Sequence, residues 1–247
     1  MLVNMKQILG NAQAGKYGVG FFNAVNVEMA RAVIETAEAL NAPVIVGTAQ
    51  VLLPAMSLER VAEYLIPMAK KAKVPVCVHF DHGLTFEMCM EALKLGFTSI
   101  MYDCSTDPYE ENVAKVAQMV KICHAMGATV EGELGHVGNN GGSAGETDPT
   151  AFLTDVSQAG DFVGRTGVPL VLHGGSGLSD GDFRTAVRDG VCMVNIFTDL
   201  DKAGRAGIQE GLAAGEQTMM GLMPYEIAAM KKVVEEKITL FGSVRKA

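Results

Sequence analysis

The chain has 247 residues, 49% of them hydrophobic, and 20 basic against 28 acidic side chains give it a net charge of −8. This composition excludes a disordered or fibrous chain. The acidic balance argues against broad binding of nucleic acid or an anionic membrane surface, which needs a net basic face.

The first residues, Met1-Leu2-Val3-Asn4-Met5-Lys6, lack the charged leader and apolar core of a signal peptide. No apolar stretch approaches the roughly 18 residues of a spanning helix. Five cysteines (Cys77, Cys89, Cys104, Cys123, Cys192) are odd in number, widely spaced and without a C-x-x-C. They read as free, small apolar side chains in a reducing cytoplasm.

Short β-branched runs follow one another at 17–22, 43–47, 74–80, 98–102, 128–134, 168–173 and 191–196. Most are continuously apolar, as strands buried on both faces are. Between and after them, apolar residues recur at helical spacing over 27–40, 57–72, 86–95, 109–126, 154–165, 180–188, 200–212 and 225–240. Strand–helix alternation at this pitch predicts a parallel sheet. No Pro/Gly/Ser-rich linker divides the chain, so one domain over 1–247 is expected. A doubly wound sheet would place a glycine-rich ligand loop after its first strand. Here polar residues close nearly every strand, the pattern of a TIM (β/α)8-type barrel. Seven strands are countable, one short of eight.

Four clusters carry chemistry. In Val78-His79-Phe80-Asp81-His82-Gly83, two imidazoles flank a carboxylate where a buried strand meets a loop. His79 and Asp81 share one face of the strand; His82 can turn toward the mouth if the strand ends at Asp81. Imidazole there suits Zn²⁺ and the carboxylate suits proton transfer. Leu172-His173-Gly174-Gly175-Ser176-Gly177 puts a histidine ahead of a glycine-rich turn whose N–H groups suit a phosphate. Val194-Asn195-Ile196-Phe197-Thr198-Asp199 offers Asn195 and Thr198 at the last strand, where TIM barrels often hold phosphate, or else an ordinary helix cap. Glu131-Gly132-Glu133-Leu134-Gly135-His136 puts two carboxylates on one strand face, to be paired, metal-bound or active. Asp103, Thr48, Asn23 and Asn26 also stand at strand ends, each taken alone more a cap than a ligand. There is no G-x-S-x-G serine, no G-x-G-x-x-G after a strand, and no lysine at a strand end for a Schiff base. A metal Lewis acid is the remaining means of stabilising a carbanion.

With Phe22-Asn23-Ala24-Val25-Asn26-Val27-Glu28 added, these motifs stand in the order of another known set. The chain resembles the class II, zinc-dependent fructose-bisphosphate/tagatose-bisphosphate aldolase family over nearly its whole length. The resemblance implies His82 and His173 as Zn²⁺ ligands and Asp81 as proton donor to the aldehyde oxygen. Gly174, Gly175, Ser176, Asn195 and Thr198 would hold the phosphate of dihydroxyacetone phosphate. Glu133 would lie beside the metal as a catalytic group, with Asn26, Thr48, Asp103 and Glu131 behind the metal or against substrate. It implies a metal-dependent aldolase that cleaves or forms a ketose (bis)phosphate through an enediolate. Zn²⁺ is the implied cofactor, with room for a monovalent cation as well. A cytoplasmic homo-oligomer, dimer or tetramer, is expected, with no nucleic-acid or membrane partner.

The sequence also departs from the family. The family carries a further strand ending in G-T-A-H-G, followed by K-G-x-P, and that histidine is the third zinc ligand. Neither motif is present here, and the gap falls near Val168-Pro169. Roughly 35 residues are missing, about one βα unit. The strand count and the motif gap are thus one observation. It opens a second reading, a catalytically impaired relative that binds sugar phosphate or a partner without turnover. A third, a metal-independent TIM-barrel isomerase, rests on fold analogy alone.

Overall fold

The computed structural model describes residues 1–134, 156–168 and 179–247. It opens with a short strand, β1 (Leu2–Val3), and a helix, α1 (Met5–Gly15), neither of which the strand and helix periods above anticipate. A capping box starts α1. The Gln7 N–H donates to the Asn4 side chain, and the Asn4 N–H donates to the Gln7 side chain. Lys16 closes the helix in the left-handed region.

Strands and helices then alternate: β2 (Val19–Asn23), α2 (Val27–Ala39), β3 (Val44–Ala49), a 3₁₀ turn (Gln50–Leu52), α3 (Leu58–Lys71), β4 (Val76–Gly83), α4 (Phe86–Leu95), β5 (Ser99–Tyr102), α5 (Tyr109–Ala125) and β6 (Thr129–Glu131). After these come α6 (Val156–Thr166), α7 (Asp180–Arg188), β7 (Met193–Ile196), α8 (Thr198–Ala213) and α9 (Met219–Leu240). Six of the seven expected strands are therefore in place. The seventh, expected at 168–173, lies beyond Val168 outside the described residues. Helix α9 starts six residues earlier than its sequence period suggests. Thr218 accepts the Gly221 N–H and nucleates it, and Pro224 sits inside the helix at the loss of one backbone bond.

Among the described residues every strand pair is parallel, in the order β6-β5-β4-β3-β2-β7. β1 lies along the start of β4, at Val76 and Cys77, and β5 takes over from His79 onward. The result is a parallel half-barrel of TIM-like architecture.

Alternation along the strands separates two cores. Phe22, Val46, Val78, Phe80, Ile100 and Val194 belong to the larger core, with the outer helices. Phe21, Ile45, Cys77 and Met193 belong to a second core, with Met5, Ile8, Leu9 and Ala12 of α1. Helix α1 therefore fills the concave side near the strand starts. Each large side chain buried there stabilises the fold by about 1.5–3 kcal/mol. Beyond this apolar floor the concave face turns polar, and that change of composition places the site.

Candidate active site

Asn23 ends β2, His79 and Asp81 lie on β4, Ser99 on β5 and Glu131 on β6, all buried. His79 is fully enclosed. Its Nδ1 lies 2.9 Å from Ser99 Oγ, and its Nε2 lies 3.3 Å from Glu131 Oε2 and 3.9 Å from Asp81 Oδ1. The Phe21 ring meets its imidazole edge-on, with centroids 5.0 Å apart. The apolar floor thus holds the base of the polar cluster.

His82 reaches the same cluster by a local distortion. Strand periodicity would send it to the helix-facing side with Phe80. The strand does not end at Asp81; it continues to Gly83, but its pairing with β5 shifts between Phe80 and Gly83. At this bulge His82 adopts a left-handed φ of 46°. Such a conformation is rare outside glycine and is concentrated at functional sites. A Cβ at Gly83 would stand 2.5 Å from Cys89 Sγ and 2.8 Å from the Met101 carbonyl oxygen, so the turn closes against β5 and α4.

So turned, His82 places Nδ1 2.8 Å from Asp103 Oδ2 and 3.4 Å from Glu133 Oε2, and Nε2 3.9 Å from Asp81 Oδ1. Asp103 Oδ1 accepts from the Ser105 N–H at 3.0 Å and from its hydroxyl at 2.6 Å. Burial works against ionising Asp103, but the hydrogen bonds from His82 and Ser105 outweigh it and hold the carboxyl well below the usual carboxylate range. An ionised Asp103 makes His82 Nδ1 the donor. Glu133 is buried, and its carbonyl accepts from Asn112 of α5 at 2.9 Å.

His82, Asp103 and Glu133 each offer one donor atom, and these atoms lie within 4.8 Å of one another. Tetrahedral Zn²⁺ ligands at 2.0–2.2 Å stand about 3.3 Å apart, so modest closure would seat an ion. One imidazole and two carboxylates are also a chemically suitable donor set for a divalent cation. The residues present therefore fit a metal.

The remaining expectations sort by position. Asp81, His82, Asp103, Glu131 and Glu133 are brought together. Asn195 lies on β7 in register with Phe21, which puts it on the concave face. Thr198 is exposed in the first turn of α8. Asn26 caps α2, accepting the Met29 N–H at 2.8 Å. Thr48 is buried in register with Phe80, alternating with Val46 toward the outer helices, and its hydroxyl finds no hydrogen-bond partner among the described residues. His173, Gly174, Gly175 and Ser176 lie outside the described residues. Sequence reasoning gave no site role to Asn23, Ser99 or Ser105. Their only signal was a polar residue on the same strand face as its neighbours, or just past the strand end.

Comparison with known proteins places this geometry. The family described as fructose-bisphosphate aldolase class-II matches residues 3–169 and 165–246. The chain is 34% identical to the uncharacterized protein YdjI of Escherichia coli K12, and 31% identical to the fructose-bisphosphate aldolase of Thermus caldophilus, with all of each chain covered. The crystal structure of the YdjI aldolase superposes with a TM-score of 0.88 at 35% identity, over 99% of this chain and 98% of that one. The YdjI sequence alignment runs over 282 positions against 247 residues here, a difference of 35 positions that face no residue of this chain. The two stretches matching the family meet at 165–169, where the missing βα unit was expected. The chain belongs to the class-II fructose-bisphosphate aldolase family.

Proposed function

We infer that the protein is a metal-dependent aldolase that cleaves or forms a ketose phosphate, with dihydroxyacetone phosphate as the ketone fragment. The observation that carries this reading is the convergence of His82, Asp103 and Glu133 beside Asp81 at the C-terminal end of a parallel sheet. These three would hold the ion, Zn²⁺ by family habit, with His173 as a further ligand and a monovalent cation as a companion in the phosphate region. A bound ion supplies Lewis-acid polarisation of a carbonyl.

The chain's own groups do the rest. Without an ion, Asp103, ionised and braced by Ser105, holds the His82 ring through Nδ1; with one, the ion would take the place of that Nδ1 proton between the two side chains. Asp81 sits within reach of the same space with one oxygen that accepts no hydrogen bond from the described residues. In cleavage this carboxylate takes the proton of the hydroxyl beside the breaking C–C bond, and in condensation it returns that proton to the aldehyde oxygen. Asn195, Thr198 and the Gly174-Gly175-Ser176 turn would hold the phosphate, as the last βα loops of TIM barrels often do. A single-domain closed barrel, a homo-oligomeric state and a cytoplasmic setting complete the proposal. The cysteines, all free, support a reducing compartment.

The 35-position gap favours one rival, a relative that binds sugar phosphate without turnover. Exchange of the C–H proton of dihydroxyacetone phosphate with solvent, with Zn²⁺ and with chelator, separates them. Metal-dependent exchange is expected. Phosphate binding with no exchange at any metal load would establish the rival.

A further inference from the structure

We propose that Asn23 is the positioning residue that orients the Asp81 carboxylate and so selects the oxygen that handles the proton. The proposal rests on the aldolase reading and deepens it. Asn23 and Asp81 stand on β2 and β4, with β3 between them. β3 contributes only Gly47, in register with both Asn23 and His79, and Ala49, in register with Asp81. Nothing larger than a methyl group therefore stands between the two side chains, and Asn23 reaches across β3 to donate from Nδ2 to Asp81 Oδ2 at 3.0 Å.

This bond has a direction. A carboxylate only accepts and an amide donates only from nitrogen, so the contact fixes the amide orientation as well as the carboxylate plane. Asp81 Oδ2 is thereby occupied. Oδ1 is left with no hydrogen-bond partner among the described residues, 3.9 Å from both His79 Nε2 and His82 Nε2. It is the oxygen on the metal-ligand side, available to a substrate hydroxyl. Asn23 is itself buried at 6% exposure, and its Oδ1 likewise accepts no hydrogen bond from the described residues. Folding gains nothing from an unmet buried acceptor; an apolar side chain would avoid it. Retaining an amide there points to the reaction rather than to packing.

Without the amide, the Asp81 carboxylate is free to rotate about its terminal torsion, and misplacement of a reacting group by about 1 Å lowers a rate on the order of 100-fold. The test is Asn23→Ala, assayed with Zn²⁺ for two partial reactions. Cleavage needs Asp81, whereas proton exchange of dihydroxyacetone phosphate with solvent does not need its proton. Cleavage turnover should fall about 100-fold, with little change in KM or bound metal, while exchange falls far less. Equal loss of both, or loss of metal, would mean general damage and overturn the proposal. If the parent protein itself shows no exchange, the aldolase reading fails, and the proposal is then judged by crystallography. The Asp81 carboxylate should take a second orientation in Asn23→Ala; an unmoved carboxylate would overturn the assignment.

Discussion

Gly47 sets how closely β3 approaches β4. A Cβ added there would lie 1.8 Å from the His79 carbonyl oxygen, 2.7 Å from its carbonyl carbon and 3.2 Å from its Cα. All three atoms are backbone, so no rotamer change relieves the clash. Reaching a tolerable contact requires β4 to move by more than about 1 Å, against six register pairs that hold it to β3. Overpacking of a tight core costs typically 1–3 kcal/mol, and a backbone clash belongs at the upper end, about 3 kcal/mol. For a chain of this length that lowers the melting temperature by about 6–12 °C. Gly10 supplies the control, since it lies on the exposed side of α1 and a Cβ added to it would meet nothing within 4 Å. Gly10→Ala should stabilise by up to about 1 kcal/mol through helix propensity. Calorimetry or chemical unfolding of both variants should therefore give shifts of opposite sign. A Gly47→Ala protein that melts within about 1 °C of its parent would refute the packing argument, and with it the separation that lets Asn23 reach Asp81.

Two further outcomes follow from the electrostatics. The Asp103 carboxyl is held below its ordinary range when folded, so its contribution is present above the unfolded value of about 4 and is lost as pH falls through the folded value. Metal-free protein should lose stability steeply below about pH 4, less so in Asp103→Asn; identical acid profiles would deny Asp103 this role. Burial pushes the Cys77 thiol up to about 12 and those of Cys104 and Cys123 to about 11, and Cys89 higher still, while Cys192 alone is not buried. A thiol reagent near neutral pH should label Cys192 first and the other four only on unfolding, and rapid labelling of Cys89 in native protein would contradict its enclosure.

Much of this site is readable in the chain because period-two alternation is strict inside a parallel sheet. His79 and Asp81 share the concave face as alternation requires, and Glu131 joins them from β6. His82 shows the limit. It reaches the cluster through a bulge and a left-handed residue, and nothing in H-F-D-H-G marks where pairing with β5 slips. Helix α1 escapes a reading by periodicity because an eleven-residue helix ahead of the first long strand has no βα rhythm to announce it. Its apolar stripe at Met5, Ile8, Leu9 and Ala12 gains meaning only from the open floor of the half-barrel. The role of Asn23 is hidden for a different reason. Its partner is 58 residues away across an intervening strand, and a single asparagine at a strand end looks the same whether it caps a helix, as Asn26 does, or orients a carboxylate.

Whether His82, Asp103 and Glu133 hold a metal ion despite the 35-position gap decides the functional reading. Native mass spectrometry and elemental analysis on one preparation test it most directly. A 26.1 kDa chain carrying one Zn²⁺ is expected, with affinity about 10–100-fold weaker in Glu133→Gln or Asp103→Asn. A folded 26.1 kDa chain that binds no divalent metal, or binds it equally well without those carboxylates, would contradict it.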